Sequence, residues 1–156
     1  MCSMQQVRLA ALFLLVVALS AGAQALAEDS RTFPLDNLGA EPLAEGQATL
    51  TNVTLLRTER WDGEYRYYYS GQLSVTCTRL TPHKIYLIAF PDGPGLSGQW
   101  MGRFKTDRDG AGGISNLPVT WVFGYQAQGE VFVTVVPRNK LDYTSWALQG
   151  STWGWF

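Results

Sequence analysis

The sequence has 156 residues, of which 46% are hydrophobic and 16% charged, and its formal net charge at pH 7 is −1. This length suits one domain, and the hydrophobic content excludes disorder for most of the chain. Because the charge is nearly balanced, we expect no nucleic-acid partner.

The first 27 residues have the pattern of a cleavable export signal. Arg8 precedes an unbroken apolar run at residues 9–19, and small residues follow as far as Ala25-Leu26-Ala27. The run is well short of the roughly 20 residues that span a bilayer, so a membrane anchor is the less favoured alternative. We therefore predict a signal peptide at 1–27, a secreted location (extracellular or periplasmic), and no membrane association after cleavage.

Residues 28–46 read as a separate segment. They carry five acidic residues against Arg31 and are interrupted by prolines and glycines, a composition typical of an extended arm. Apolar residues such as Phe33 and Leu35 could pack against the remaining domain, which we place at 47–156. Removal of the signal leaves Cys77 as the one cysteine, and its apolar surroundings predict a buried free thiol.

From Ala48 onward the apolar residues recur with a period of two, in short segments bounded by turn-forming residues. This pattern predicts strands and almost no helix. The predicted strands cover residues 48–57, 65–78, 84–90, 99–106, 113–123, 130–136 and 143–148. Asp-Gly pairs at 62–63, 92–93 and 109–110 favour tight turns between antiparallel neighbours.

The segment from Leu80 to Phe90 contains Leu80, Pro82 and Tyr86 in the spacing Leu-x-Pro-x-x-x-Tyr. It resembles a stretch of fibronectin type III and related immunoglobulin-like domains. The resemblance implies that Tyr86 is a corner tyrosine whose hydroxyl bonds to the backbone upstream, that Leu80 is a core plug and that Pro82 forms the turn. Residues 104–113 are similar to a Thr-Asp-x-x-Gly-x-Gly hairpin of secreted microbial sandwich domains. The expected fold is all-β, an antiparallel immunoglobulin-like β-sandwich of about seven strands.

No arrangement of residues indicates catalysis, a metal or a cofactor. His83 is the one histidine, and no Gly-x-Ser-x-Gly motif is present. Asp107 and Asp109 resemble the opening of a calcium loop but lack the further ligands, so a hairpin turn is the preferred interpretation. We expect no enzyme; a hydrolase with an unrecognised carboxylate pair is a remote alternative.

The surplus of aromatic residues is the most informative feature. A core of this size would fill before all six tryptophans and seven tyrosines were inside, and several strands are apolar on both faces. We therefore expect an interaction surface. Its candidate residues are Trp61, Tyr68, Ile88, Phe90, Trp100, Phe132, Trp153, Trp155 and Phe156.

These observations favour a non-enzymatic exported module for adhesion, assembly or another protein interaction, with another protein chain or a second copy as partner. The alternative is a carbohydrate-binding module that stacks glycans on exposed Trp and Tyr. The terminal Phe156 also admits a small outer-membrane β-barrel, although few segments reach the 9 to 11 residues that such a barrel needs.

Overall fold

The computed structural model describes residues 30–91, 99–124, 128–139 and 146–155. These ranges form eight β-strands: β1 (Arg31–Asn37), β2 (Glu45–Trp61), β3 (Glu64–Thr78), β4 (Ile85–Phe90), β5 (Gln99–Lys105), β6 (Gly112–Gly124), β7 (Gln128–Pro137) and β8 (Leu148–Trp155). The prediction of an all-β chain is confirmed. In the described residues we find no helix with the length and hydropathy required to span a membrane.

The eight strands form one antiparallel sheet in the order β5-β4-β7-β8-β1-β2-β3-β6. Strand β1 joins the two halves, because its residues 31–35 pair with β2 whereas Asp36 and Asn37 pair with β8. The sheet curls until its edge strands β5 and β6 lie side by side and nearly close a barrel. Gly102 permits this approach: a Cβ there would lie 3.0 Å from Ile114 Cδ1.

The core lies inside the curled sheet and is built by alternation along the strands. In β3 the buried side chains are Tyr69, Leu73, Val75 and Cys77, with Gly71 between them, and the residues between these positions face outward. A period of two puts every second side chain on the inner face, as the sequence predicts. Cys77 is a buried free thiol, as expected.

The predicted arm contributes a strand to this core. Phe33 and Leu35 of β1 are buried, and residues 31–35 pair with residues 46–50 of β2. Two alternate apolar residues suffice to anchor so short a strand, because the neighbouring strand satisfies its backbone groups. Residues 31–37 therefore belong to the sheet, whereas the composition of residues 28–46 predicts a separate extended arm.

The last strand begins later than predicted. The prediction of a strand at 143–148 gives only Leu148 correctly, because β8 runs from Leu148 to Trp155, and residues 143–145 lie outside the described ranges. After Leu148, the positions of β8 that pair with core residues of β7 are Gly150 and Thr152, so a search for apolar periodicity misses this strand.

The outward face of β4 and β7 is partly covered by the chain itself. Thr134 and Val136 lie on the face opposite Val135, yet both are fully buried, and Ala89 beside Thr134 is nearly so. A strand that is apolar on both faces therefore needs no second chain at this point.

The hairpin between β2 and β3 has the predicted turn. Asp62 and Gly63 both adopt positive φ, 49° and 86°, and Trp61 pairs with Glu64 across them. Positive φ at both central residues defines a two-residue turn whose twist matches the strands. The Asp92-Gly93 turn lies outside the described residues.

Candidate interaction surface

Three exposed tryptophans lie toward the same end of the sheet. Trp61 ends β2, Trp100 begins β5 and Trp153 lies near the end of β8, and their exposed fractions are 62%, 51% and 64%. In this antiparallel order the ends of β2 and β8 lie at the same end as the start of β5. Tryptophan is enriched in protein interfaces, so this end of the sheet is the candidate functional region.

At this end, two arginines lie over aromatic rings on the outer face of the β2–β3 hairpin. The guanidinium carbon of Arg57 is 4.3 Å from the ring centre of Tyr68, and that of Arg66 is 5.1 Å from the ring centre of Trp61. Both distances are within the range of cation–π attraction. We call Arg57, Trp61, Arg66 and Tyr68 the aromatic–arginine ladder.

Strand register puts the four residues on one face. Arg57 pairs directly with Tyr68, and Trp61 and Arg66 are diagonal neighbours across the same hairpin. Directly paired residues of antiparallel strands share a face, and diagonal neighbours are within reach of long side chains. Two register shifts in β2, between Thr51 and Thr54 and between Leu55 and Arg57, set this alignment.

The ladder carries one ion pair, and Arg66 lies directly across the hairpin from Glu59, the acidic member of that pair. Arg57 Nε lies 3.0 Å from Glu59 Oε1 on the same outer face. Arg66 has no carboxylate at ion-pair distance in the described part of the chain. Because the Arg57–Glu59 pair is largely exposed, it contributes little stability. Arg66 is therefore the cation that a partner carboxylate could reach.

Burial corrects the prediction for Ile88 and Phe90. Both are fully buried, and the Phe90 ring meets Trp121 edge-on with ring centres 5.4 Å apart. The sequence shows β4 as apolar on both faces and does not say which face is inside. Pairing with β7 puts Ile88 opposite Val135 on the core side, so neither residue belongs to the interaction surface.

The remaining candidates are divided. Trp61, Trp100 and Trp153 are exposed, whereas Tyr68 and Phe132 are half-buried. The side chain of Trp155 and all of Phe156 lie outside the described residues. The structure thus brings Trp61 and Tyr68 together in the ladder and leaves Trp100 and Trp153 on other strands of the same end.

The arginines were missed by reasoning that looked for apolar surplus. The sequence does not reveal that Arg57 lies opposite Tyr68, or that Arg66 lies diagonal to Trp61. Both relationships depend on the register of the hairpin. One signal was available: within residues 54–68 every cation is an arginine, interleaved with Trp and Tyr. Arginine, tryptophan and tyrosine are the residues that dominate binding energy in interfaces.

Of the positions considered for chemistry, Asp107 stabilises a turn. The Asp107 carboxylate accepts 2.9 Å bonds from the backbone N–H groups of Asp109 and Ala111, which closes the β5–β6 turn. His83 is exposed in the loop before β4. Across the described ranges, no three residues of His, Cys, Asp or Glu are grouped so as to hold a metal ion.

Comparison with protein-family models, with curated proteins and with solved structures finds no match to this chain. We therefore infer function from the chemistry of the surface described above.

Proposed function

We propose that this chain is an exported, non-enzymatic module that binds another protein chain through the aromatic–arginine ladder. It would act in adhesion or assembly at a cell surface or in the periplasm. The signal pattern at residues 1–27 supports the proposal of export. The immunoglobulin-like sandwich belongs to the same proposal, with β1 as the strand that would pass from one layer to the other.

One observation carries the proposal: Trp61 and Tyr68 each have an arginine over the ring, on one face of one hairpin. A guanidinium held over a ring keeps both groups in a fixed position before a partner arrives. Ordering such side chains otherwise costs about 0.5 to 1.5 kcal/mol each on binding. The ladder therefore resembles a preorganised protein contact.

The same geometry disfavours a glycan at the ladder. A sugar stacks on the open face of an aromatic ring, and at Trp61 and Tyr68 one face is already occupied by a guanidinium. Trp100 and Trp153 differ, because in the described ranges no cation lies over either ring. Carbohydrate binding at those two residues is the second candidate function.

Site-specific photocrosslinking in the cells that make the chain tests the proposal. A benzoylphenylalanine at Glu64, which pairs with Trp61 beside the ladder, is expected to give a discrete adduct. The matched control carries the same group at Leu43, which is 72% exposed in the loop before β2, at the other end of the sheet. Trp61→Ala or Arg66→Ala in the Glu64 background should remove the adduct.

The absence of any adduct at Glu64, or equal adducts at both positions, would overturn the proposal. Mass spectrometry of the adduct identifies the partner. A glycan array probed with the wild-type chain and with Trp153→Ala addresses the second candidate: binding that this substitution abolishes would favour it, and an array without signal would remove it.

A further inference from the structure

Strand β2 extends beyond its neighbour β1. Arg31, the first residue of β1, pairs with Leu50, and no described strand pairs with that side of residues 51–61. We call residues 51–61 the β2 overhang. Its other side pairs with β3, so among the described residues about half of its backbone N–H and C=O groups form an open edge. Such an edge is a template for a further strand.

The turn determines which backbone groups face outward. In a two-residue hairpin the flanking residues, here Trp61 and Glu64, exchange both backbone hydrogen bonds. Alternation along an antiparallel strand then directs the backbone groups of Thr58 and Arg60 away from β3. Thr58 therefore offers one donor and one acceptor at the middle of the exposed edge.

The side chains around Thr58 are self-complementary when the overhangs of two chains pair antiparallel. If two overhangs align with Thr58 opposite Thr58, Arg57 of each chain faces Glu59 of the other, on the outer face that both share. Opposite charges across a strand pair are stabilising and like charges are destabilising. Alignment on Arg57 or on Glu59 instead would put two like charges opposite each other. The charges thus select one register.

An exposed apolar side chain lies beside these charged residues. Leu56 is 57% exposed, and in the same alignment it faces Arg60 of the other chain, whose aliphatic stem can cover it. The register shift between Leu55 and Arg57 ends the regular pairing at Leu56. Pairing therefore covers residues 56–60, a small contact that gives a weak, concentration-dependent dimer.

We propose that the overhang docks a second copy of this chain by antiparallel pairing centred on Thr58. This inference goes beyond the proposed function, because the contact is formed by the edge of the strand rather than by the rings of the aromatic–arginine ladder. The two hairpins would form one sheet across a two-fold axis, and their ladders would lie on a single outer face. A two-fold axis is the commonest symmetry of protein assemblies and requires a self-complementary patch.

Charge reversal tests the pairing. In sedimentation velocity across a concentration series, the wild-type chain should show a dimer, and Arg57→Glu and Glu59→Arg should each lower its association constant at least tenfold. The mixture of these two variants should regain the dimer, because one presents two carboxylates and the other two guanidinium groups. The ion pair within each variant is lost, so recovery in the mixture can arise only between chains.

Two further variants complete the experiment. Thr58→Pro removes the outward N–H and leaves the backbone hydrogen bonds between β2 and β3 intact. It should abolish the dimer without changing the circular dichroism spectrum. Arg79→Glu reverses a second exposed ion pair, Arg79 with Glu45, away from the overhang and should leave the dimer unchanged. A monomer at every concentration, or a mixture that stays monomeric, would overturn the inference. If the Glu64 adduct then contains a different protein, the proposed function stands and only the second copy is excluded; if there is no adduct, both fail.

Discussion

The hydroxyl of Tyr86 donates a 2.7 Å hydrogen bond to Oε1 of Glu41 and accepts a 3.1 Å bond from the backbone N–H of Thr81. The second bond is of the kind that the resemblance to fibronectin type III domains implies for Tyr86. The first ties the loop between β1 and β2 to the start of β4. Leu80, buried beside this corner, fills the position of the predicted plug, and Pro82 lies in the exposed turn.

The first prediction concerns this hydroxyl. Tyr86→Phe should lower the free energy of unfolding by about 1 to 3 kcal/mol, because a hydrogen bond to a charged group is lost and the Thr81 N–H loses its acceptor. Urea denaturation followed by circular dichroism measures the change. Tyr65→Phe is the matched control, since Tyr65 is half-exposed, and it should stay within about 0.5 kcal/mol of the wild type. Equal losses in the two variants would contradict a specific role for the corner bond.

The carboxyl of Glu41 has a lowered pKa. Desolvation by burial is the largest influence and raises the pKa, but it is outweighed by the combined hydrogen bonds from Tyr86 and Thr81 and by the nearby charge of Lys84, whose Nζ lies 3.6 Å away. The result is a pKa below the ordinary value of 4.5. The folded protein therefore holds the charged form more strongly than the unfolded chain does.

The second prediction follows from the sign of that shift. A carboxyl whose pKa is lower in the folded state stabilises the fold above its unfolded pKa, and the contribution disappears as the pH falls through the folded pKa. Stability should therefore decline below about pH 4.5. Urea midpoints measured between pH 7 and pH 3 should fall less steeply for Glu41→Gln than for the wild type. Glu45→Gln, at an exposed ion pair, should keep the wild-type slope; identical slopes for all three proteins would contradict the prediction.

The third prediction concerns Cys77. Desolvation by burial raises the pKa of its thiol to about 12. Since the thiolate is the reactive form, the native thiol should resist Ellman's reagent at pH 8 for hours. In guanidinium chloride it should react within minutes. A Cys2→Ser background ensures that only Cys77 is counted, and rapid reaction of the native protein would show that the core at β3 opens.

Much of the fold is readable because it depends on local pattern. Alternating residues in β3 fix which side chains are buried, and Asp62-Gly63 fixes one turn, so neither needs distant information. Strand order does not follow from such signals: β3 pairs with β6, and the strands between them belong to the other half of the sheet. The backbone hydrogen bonds that determine strand order join residues far apart in the sequence.

The candidate surface was predictable in composition but not in arrangement. The surplus of large rings predicts that some of them are exposed, and Trp61, Trp100 and Trp153 are. The choice between the faces of β4 does not, because Ile88 and Leu87 are equally apolar and only the curl of the sheet distinguishes them. Arg57 meets Tyr68 because register shifts move the alignment, and sequence periodicity carries no sign of those shifts.

The fourth prediction uses two glycines at opposite ends of β6. A Cβ at Gly113 would clash with the carbonyl oxygen of Val75 in β3, whereas a Cβ at Gly124 would meet no described atom within 4 Å. Neither needs a positive φ, so the two sites differ only in the space around them.

Gly113→Ala must push backbone against backbone, and neither strand can yield without breaking the β3–β6 ladder, so we expect a loss of about 3 to 5 kcal/mol in urea denaturation. Gly124→Ala should be neutral or stabilising by up to about 1 kcal/mol, since alanine loses less backbone entropy than glycine in a strand. Both variants change one methyl group on the same strand, which makes each the control for the other. If Gly113→Ala were as stable as the wild type, β3 and β6 would have to be farther apart at this end than the structure shows. The pairing of Val75 with Ile114 would then be wrong.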